Sequence, residues 1–169
     1  IGICNGFQVL VKAGLLPGNE SLEQEASLII NDCGSFRAEW VHLSSSFSKG
    51  KCVWTKDVPE KIYLPIAHGE GKFVVSNDAV LKRLKKNGQI VFQYCDPSGK
   101  LAGYPYNPNG SLENIAGICD ETGRILGLMP HPERFFRSSQ NPAGPSSTGP
   151  FGDGYIIFKN GVEYASRNN

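Results

Sequence analysis

Cys4 stands between Gly2 and Gly6, where the short apolar segment Ile1-Gly2-Ile3 gives way to helix-compatible sequence. A cysteine at such a strand-to-helix turn forms a nucleophile elbow, with sulfur in the place more often held by a serine oxygen. Glycines two residues to either side relieve the crowding of so sharp a turn. The helix that opens there aims its first N–H groups at the sulfur, which favours thiolate over thiol. The plain alternative is a buried structural cysteine, the usual fate of a free thiol, but packing alone does not explain both glycines.

A thiolate needs a base to move protons, and the base needs a partner to orient it. The chain has three histidines, His42, His68 and His131. In His131-Pro132-Glu133 the proline favours extended backbone before it, and side chains two apart on extended chain share a face. Glu133 can then accept from Nδ1 of His131 and leave Nε2 for the sulfur. A solvated turn after a hairpin fits the same spacing equally well. His68-Gly69-Glu70 and His131-Pro132-Glu133 both match the His-x-Glu of zinc deaminases, but no Pro-Cys-x-x-Cys follows, so no metal site is expected. Nor is Gly69-Glu70-Gly71-Lys72 a phosphate loop, because its spacing is wrong. Gln8, one helical turn past Cys4, can reach the same mouth, and Asn5 offers its backbone N–H to a developing oxyanion. His42 sits on an alternating strand and receives no role.

These groups must be mounted on secondary structure. Ile1–Ile3 reads as the end of a buried strand and Asn5–Ala13 as a helix, stopped by Gly14 and Pro17-Gly18. Residues 19–27 read as polar loop. Alternation of Phe36, Ala38 and Trp40 with Arg37, Glu39 and Val41 predicts a strand, and Cys52-Val53-Trp54 a short one. Ile62, Leu64 and Ile66 predict a strand leading into His68; Asp78–Lys86 a helix; Ile90–Tyr94 a strand. Asn107-Pro108-Asn109-Gly110 is a turn, and Ile115–Cys119 with Ile125–Met129 a hairpin about Asp120–Gly123. Residues 138–154 read as surface loop and Gly154–Ser166 as a closing helix. The sum is an α/β fold: an open, mixed, mostly parallel sheet with flanking helices and an added antiparallel portion.

Bulk properties exclude several classes. The 169 residues, 40% hydrophobic and 20% charged with net charge +1, describe an ordinary domain with no surface suited to nucleic acid. No apolar run approaches the ~20 residues that cross a bilayer, and no signal peptide is seen, so a cytoplasmic location is expected. Five dispersed cysteines without a Cys-x-x-Cys pair argue against a disulfide framework or structural zinc.

Gly2-Ile3-Cys4-Asn5-Gly6-Phe7-Gln8 resembles the active-site segment of class I (triad) glutamine amidotransferases. Its Asn-Gly-Phe-Gln variant is similar to the glutaminase part of phosphoribosylformylglycinamidine synthase. Ala67–Phe73, Tyr106–Ser111 and Gly127–Arg134 follow in the family's order and extend the match over most of the chain. The resemblance implies a Cys4–His131–Glu133 triad, glutamine contacts at Asn5 and Gln8, and hydrolysis of L-glutamine to glutamate and ammonia; it sets His68 at the glutamine pocket or at the contact with the synthetase, and a strand-end histidine satisfied by local hydrogen bonds is an equal alternative. It implies no cofactor in this domain; ATP and Mg would belong to a partner, the formylglycinamidine ribonucleotide synthetase subunit or fused domain. Residues 1–169 are then expected to be a glutaminase domain lacking its N-terminal strands and helices, including the glycine-rich loop that gives the family its second oxyanion donor. Arg134-Phe135-Phe136-Arg137 and the proline-rich loop depart from the shorter subunits of the family. Another class I amidotransferase, a γ-glutamyl hydrolase, or a non-catalytic fragment retaining a docking surface remain open alternatives.

Overall fold

The computed structural model describes residues 1–45, 50–144 and 149–167. Six strands form one sheet: β1 (Gly2–Ile3), β3 (Arg37–Ser44), β4 (Lys61–His68), β6 (Ile90–Cys95), β7 (Ile115–Cys119) and β8 (Leu126–Leu128), ordered β1-β8-β7-β6-β3-β4. A separate antiparallel ribbon pairs β2 (Ala26–Ile30) with β5 (Glu70–Val75). The helices are α1 (Asn5–Lys12), α2 (Asp78–Lys86) and α3 (Tyr155–Arg167).

The sheet is buried on both faces, which is why β6 and β7 read as nearly unbroken apolar runs. On one face, α3 and the turn after β8 bring Ile157 and Phe135 against Leu43, Leu64, Tyr94 and Leu128. On the other, α1, α2 and the β2–β5 ribbon contribute Phe7, Val11, Leu84, Leu28 and Phe73, packed on Ile90, Ile115 and Met129. Asn77 caps α2, its side chain accepting from the N–H groups of Ala79 and Val80 at 3.0 and 3.2 Å. Arg83, Lys85 and Lys86 sit in that helix's last turn, where the dipole favours cations.

The α/β architecture with a mixed sheet, flanking helices and an antiparallel portion is as expected, and so are the bounds of α2 and the β7–β8 hairpin. Among the described residues, however, the parallel ladder is β1 with β8, and the remaining named pairs are antiparallel. Short polar turns join neighbours such as β7 and β8, and a short turn permits antiparallel return alone.

Three local readings are corrected. Cys52–Trp54 is not a strand; Val53–Thr55 forms a 3-10 turn, with the Thr55 hydroxyl bonded to the Cys52 carbonyl at 3.1 Å. Ala26–Ile30, partly read as loop, and Glu70–Val75, given no element, pair with each other as a ribbon. The third concerns β3, which buries Val41 and Leu43 and leaves Phe36 66% exposed. Its first half pairs with β4 alone, since β6 meets it from His42 to Ser44. Within the expected 138–154 loop, Ser138–Gln140 forms a 3-10 turn and Arg137 bridges Phe151, while 145–148 lie outside the described residues.

Candidate active site

The parallel pairing of β1 and β8 creates the site. Gly2 is level with Gly127 and Ile3 with Leu128, so both strands end side by side. The Cys4 N–H bonds the Leu128 carbonyl at 2.8 Å, and three residues beyond Leu128 comes His131. The carboxyl ends of parallel strands are where open α/β sheets place ligands.

Cys4 caps α1 with φ 52° and ψ −108°, a conformation that costs a non-glycine residue about 1–3 kcal/mol. This is the strained elbow expected. Its crowding falls on Gly2: a Cβ there would stand 2.5 Å from Leu10 Cδ1 and 2.6 Å from the Gly6 carbonyl oxygen. A Cβ at Gly6 would meet nothing within 4 Å, so the second glycine is not required by contacts within this chain. The Cys4 thiol faces the Ala67 carbonyl oxygen at 3.8 Å. As the first N–H groups of α1, those of Asn5 and Gly6 have no intrahelical acceptor, and they lie at the sulfur's end of the helix.

His131 is fixed from three sides. Its N–H bonds the Pro65 carbonyl of β4 at 2.8 Å, Pro132 opens a 3-10 turn, and Nδ1 meets Glu133 Oε1 at 2.6 Å. Nε2 is buried and makes no formed hydrogen bond, which leaves it open to the neighbouring thiol. The Cys4 thiol first, then the Glu133 carboxylate, raise the pKa of His131 to about 9 against the opposing effect of burial. Burial pushes the Glu133 carboxyl up, but its hydrogen bond to His131 and the nearby Arg134, 3.6 Å away, hold it below the ordinary value. The arrangement is a thiol, an imidazole that favours its charged form, and a carboxylate that orients it.

His68 ends β4 one residue past Ala67 and is 3% exposed. Burial first, then the charge on His131, lower its pKa to about 4, so the ring is neutral. Its Nδ1 lies 3.1 Å from Asn31 Oδ1, and the ring lies flat on Gly71, where a Cβ would come within 2.3 Å of it. Asn31 carries no signal in the sequence that marks it for this place.

Gln8 does not point freely into the mouth. Its Nε2 donates to the Glu70 carbonyl at 2.8 Å, joining α1 to the start of β5. With Asn5, Lys12, Ser27, Leu28 and Glu70 it lines a groove of about 460 Å³ between α1 and the β2–β5 ribbon. The structure therefore gathers Cys4, His131, Glu133 and His68 at one strand end and sets Asn5 and Gln8 along the adjoining groove.

Two distant stretches lock together behind this corner. Asn109 Nδ2 donates to the Gly71 carbonyl at 2.8 Å and to the Tyr94 hydroxyl at 3.2 Å. Its Oδ1 accepts from Ser111 N–H and Oγ at 3.0 and 2.8 Å, and Ser111 Oγ accepts from Phe73 N–H at 3.0 Å. The Asn107–Ser111 turn thus backs the His68–Phe73 segment. Among the described residues, no three His, Cys, Asp or Glu side chains gather as a metal-ligand set, and no helix is long and apolar enough to cross a membrane.

The model of the CobB/CobQ-like glutamine amidotransferase domain matches residues 1–165. The chain belongs to this glutamine amidotransferase family. Among curated relatives, phosphoribosylformylglycinamidine synthase subunit PurQ of Dehalococcoides mccartyi is 47% identical over 168 residues, 98% of this chain and 63% of that protein. The subunit of the same name from Archaeoglobus fulgidus is 43% identical over 176 residues, covering 99% and 63%. The chain thus spans a little under two thirds of the length of these relatives. The solved structure of PurLQS from Thermotoga maritima superposes with a TM-score of 0.68 at 31% identity, over 97% of this chain and 60% of that one. Over the part it spans, the chain shares the α/β fold of that structure.

Proposed function

We propose that residues 1–169 act as the glutaminase of a phosphoribosylformylglycinamidine synthase, hydrolysing L-glutamine in the cytoplasm and passing ammonia to a synthetase partner. The observation that carries this reading is Cys4 on its strained elbow beside a buried, Glu133-bonded His131, in a chain 47% identical to a PurQ subunit. The Cys4 thiolate attacks the carboxamide carbon of glutamine, and the Asn5 N–H supports the negative oxygen that forms. His131, charged, gives its proton to the departing nitrogen, which leaves as ammonia. It then takes a proton from water, which attacks the thioester and releases glutamate and the thiol. Asn5 and Gln8 line the groove that would receive the amino-acid end of the substrate, and His68 supports the wall behind the sulfur. The ammonia would aminate formylglycinamide ribonucleotide on the partner, where ATP and Mg are consumed; this chain's residues take no part in that step.

Labelling the complete gene product with a diazo-ketone glutamine analogue, followed by peptide mass spectrometry, tests the reading. Selective modification of Cys4 over Cys33, Cys52, Cys95 and Cys119 is expected. A Cys4→Ala protein that still releases glutamate from glutamine would falsify the mechanism. Stimulation of glutamine hydrolysis by the purine synthetase and its nucleotide separates this function from that of other amidotransferases.

A further inference from the structure

Asn31 has a saturated and therefore directional amide. Its Nδ2 donates to the carbonyls of Ser35 and His68 at 3.0 and 2.9 Å, and its Oδ1 accepts from the Gly71 N–H at 3.1 Å. Two carbonyl partners on one side and an N–H on the other leave one orientation of the amide. The Oδ1 atom that faces His68 Nδ1 at 3.1 Å is then an acceptor, so Nδ1 must carry the ring proton. The other nitrogen, Nε2, is buried without a hydrogen-bond partner and holds a lone pair. Asn31 itself is 1% exposed, and its N–H bonds the Gly69 carbonyl at 3.0 Å. Four hydrogen bonds between Asn31 and residues 68–71 therefore hold the corner between β4 and β5.

We propose that Asn31 is a positioning residue for the Cys4–His131 pair: it fixes the β4–β5 corner, whose Ala67 carbonyl faces the Cys4 thiol, and holds the His68 ring with its proton on Nδ1. This deepens the glutaminase reading and rests on it for its catalytic consequence. The charged groups that act on the His68 ring are His131, from the turn after β8, and Glu39, from β3. A second imidazolium at His68 would repel the first and draw the His131 proton off. Burial of the His68 ring opposes that, and its depressed pKa agrees.

The direct test is nitrogen-15 NMR of the imidazoles in the complete gene product, which distinguishes Nδ1–H from Nε2–H tautomers. Wild-type His68 is expected as neutral Nδ1–H from about pH 5 to 9, while His131 titrates near 9. In Asn31→Asp the retained Oδ1 position becomes anionic, and the His68 midpoint should rise by about one to three pH units. The kcat profile should acquire a new acid limb at that same midpoint, a change that simple loosening of the corner would not produce. An Nε2–H tautomer in the wild type, or an unmoved His68 midpoint in Asn31→Asp, overturns the proposal. Because the wild-type spectrum alone decides the tautomer, a variant that does not fold leaves the test intact. Loss of the glutaminase reading would appear separately, as an unlabelled Cys4.

Discussion

Replacing Glu133 with glutamine removes the charge from the carboxylate that holds His131 while leaving its shape. The pKa of His131 stands at about 9 against an ordinary 6.5, and at 1.36 kcal/mol per pH unit this favours the imidazolium by ~3 kcal/mol. The Cys4 thiol's hydrogen bond is the first single cause, and Glu133 acts through both its hydrogen bond and its charge. Glu133 is 44% exposed at its side chain, so water screens it, and the low end of the usual effect, about one pH unit, is the appropriate allowance. The sign follows from the direction of the shift. A raised pKa means that the imidazolium, with the stability it lends, is fully present below about pH 6.5 and lost as pH rises through about 9. Glu133→Gln should therefore move the upper limb of Cys4 labelling by the diazo-ketone analogue, set by His131, from about 9 to about 8. The neutral amide can also turn its NH2 toward Nδ1 and favour the wrong tautomer. The rate at pH 7 should fall by about 10²-fold, the low end for general acid–base groups. Labelling rates measured across pH, with the modified peptide identified by mass, are the assay. If the upper limb stays near 9 and the neutral-pH rate holds within about twofold, the orienting role of Glu133 is wrong.

Three further outcomes follow from single contacts. Cys4→Gly and Cys4→Ala should both lack glutaminase activity, but the glycine variant should be the more stable by ~1 kcal/mol because it adopts φ 52° without strain; equal melting temperatures would contradict the strain argument. Gly71→Ala drives a methyl group into the His68 ring, where the nearest atom is 2.3 Å away, and should cost about 1–3 kcal/mol in thermal unfolding; a neutral effect would mean that the ring does not lie on Gly71. Asn109→Ala removes one donor from the Gly71 carbonyl, which keeps the Ser111 hydroxyl at 3.3 Å, and one acceptor from the Ser111 N–H and hydroxyl, and should cost about 1–3 kcal/mol. Its kcat should fall more than its KM changes, and the reverse pattern would place Asn109 at the substrate instead.

The groups of the proposed triad could be picked out of the sequence because each sits within a short local pattern. Gly-x-Cys-x-Gly marked the elbow, and His131-Pro132-Glu133 marked the imidazole and its orienting carboxylate. Regular elements with uninterrupted patterning, such as Asp78–Lys86 and Lys61–His68, were also readable. The pairing of Ala26–Ile30 with Glu70–Val75 was not, because strands about 45 residues apart show their relation only when the ribbon closes on α1. Nor was the inward face of β3 readable: Phe36 is the more apolar residue, but the strand's buried half begins at Val41. Asn31 was invisible for a simpler reason. An asparagine before Asp32 and Gly34 has the composition of any turn, and its role depends on four partners supplied by other parts of the corner.

The relation between the two asparagines shows how the site is held. Asn31 grips the β4–β5 corner from the end of β2, and Asn109 grips the same corner from the turn before β7, at Gly71 N–H and Gly71 O respectively. One glycine residue is thus held through its own N–H and its own carbonyl by buried side chains from two separate segments. The ring of His68 rests on that glycine, and the preceding carbonyl, Ala67, faces the Cys4 sulfur. Both asparagines therefore support the segment that carries the wall facing the Cys4 thiol. Cys4, by contrast, is held through its own backbone, by the Leu128 carbonyl and the first turn of α1. Cys4 and the wall opposite it are therefore anchored to different parts of the fold, β1–β8 and β4–β5. Their separation is set where His131 bonds Pro65, the contact that ties the end of β8 to β4.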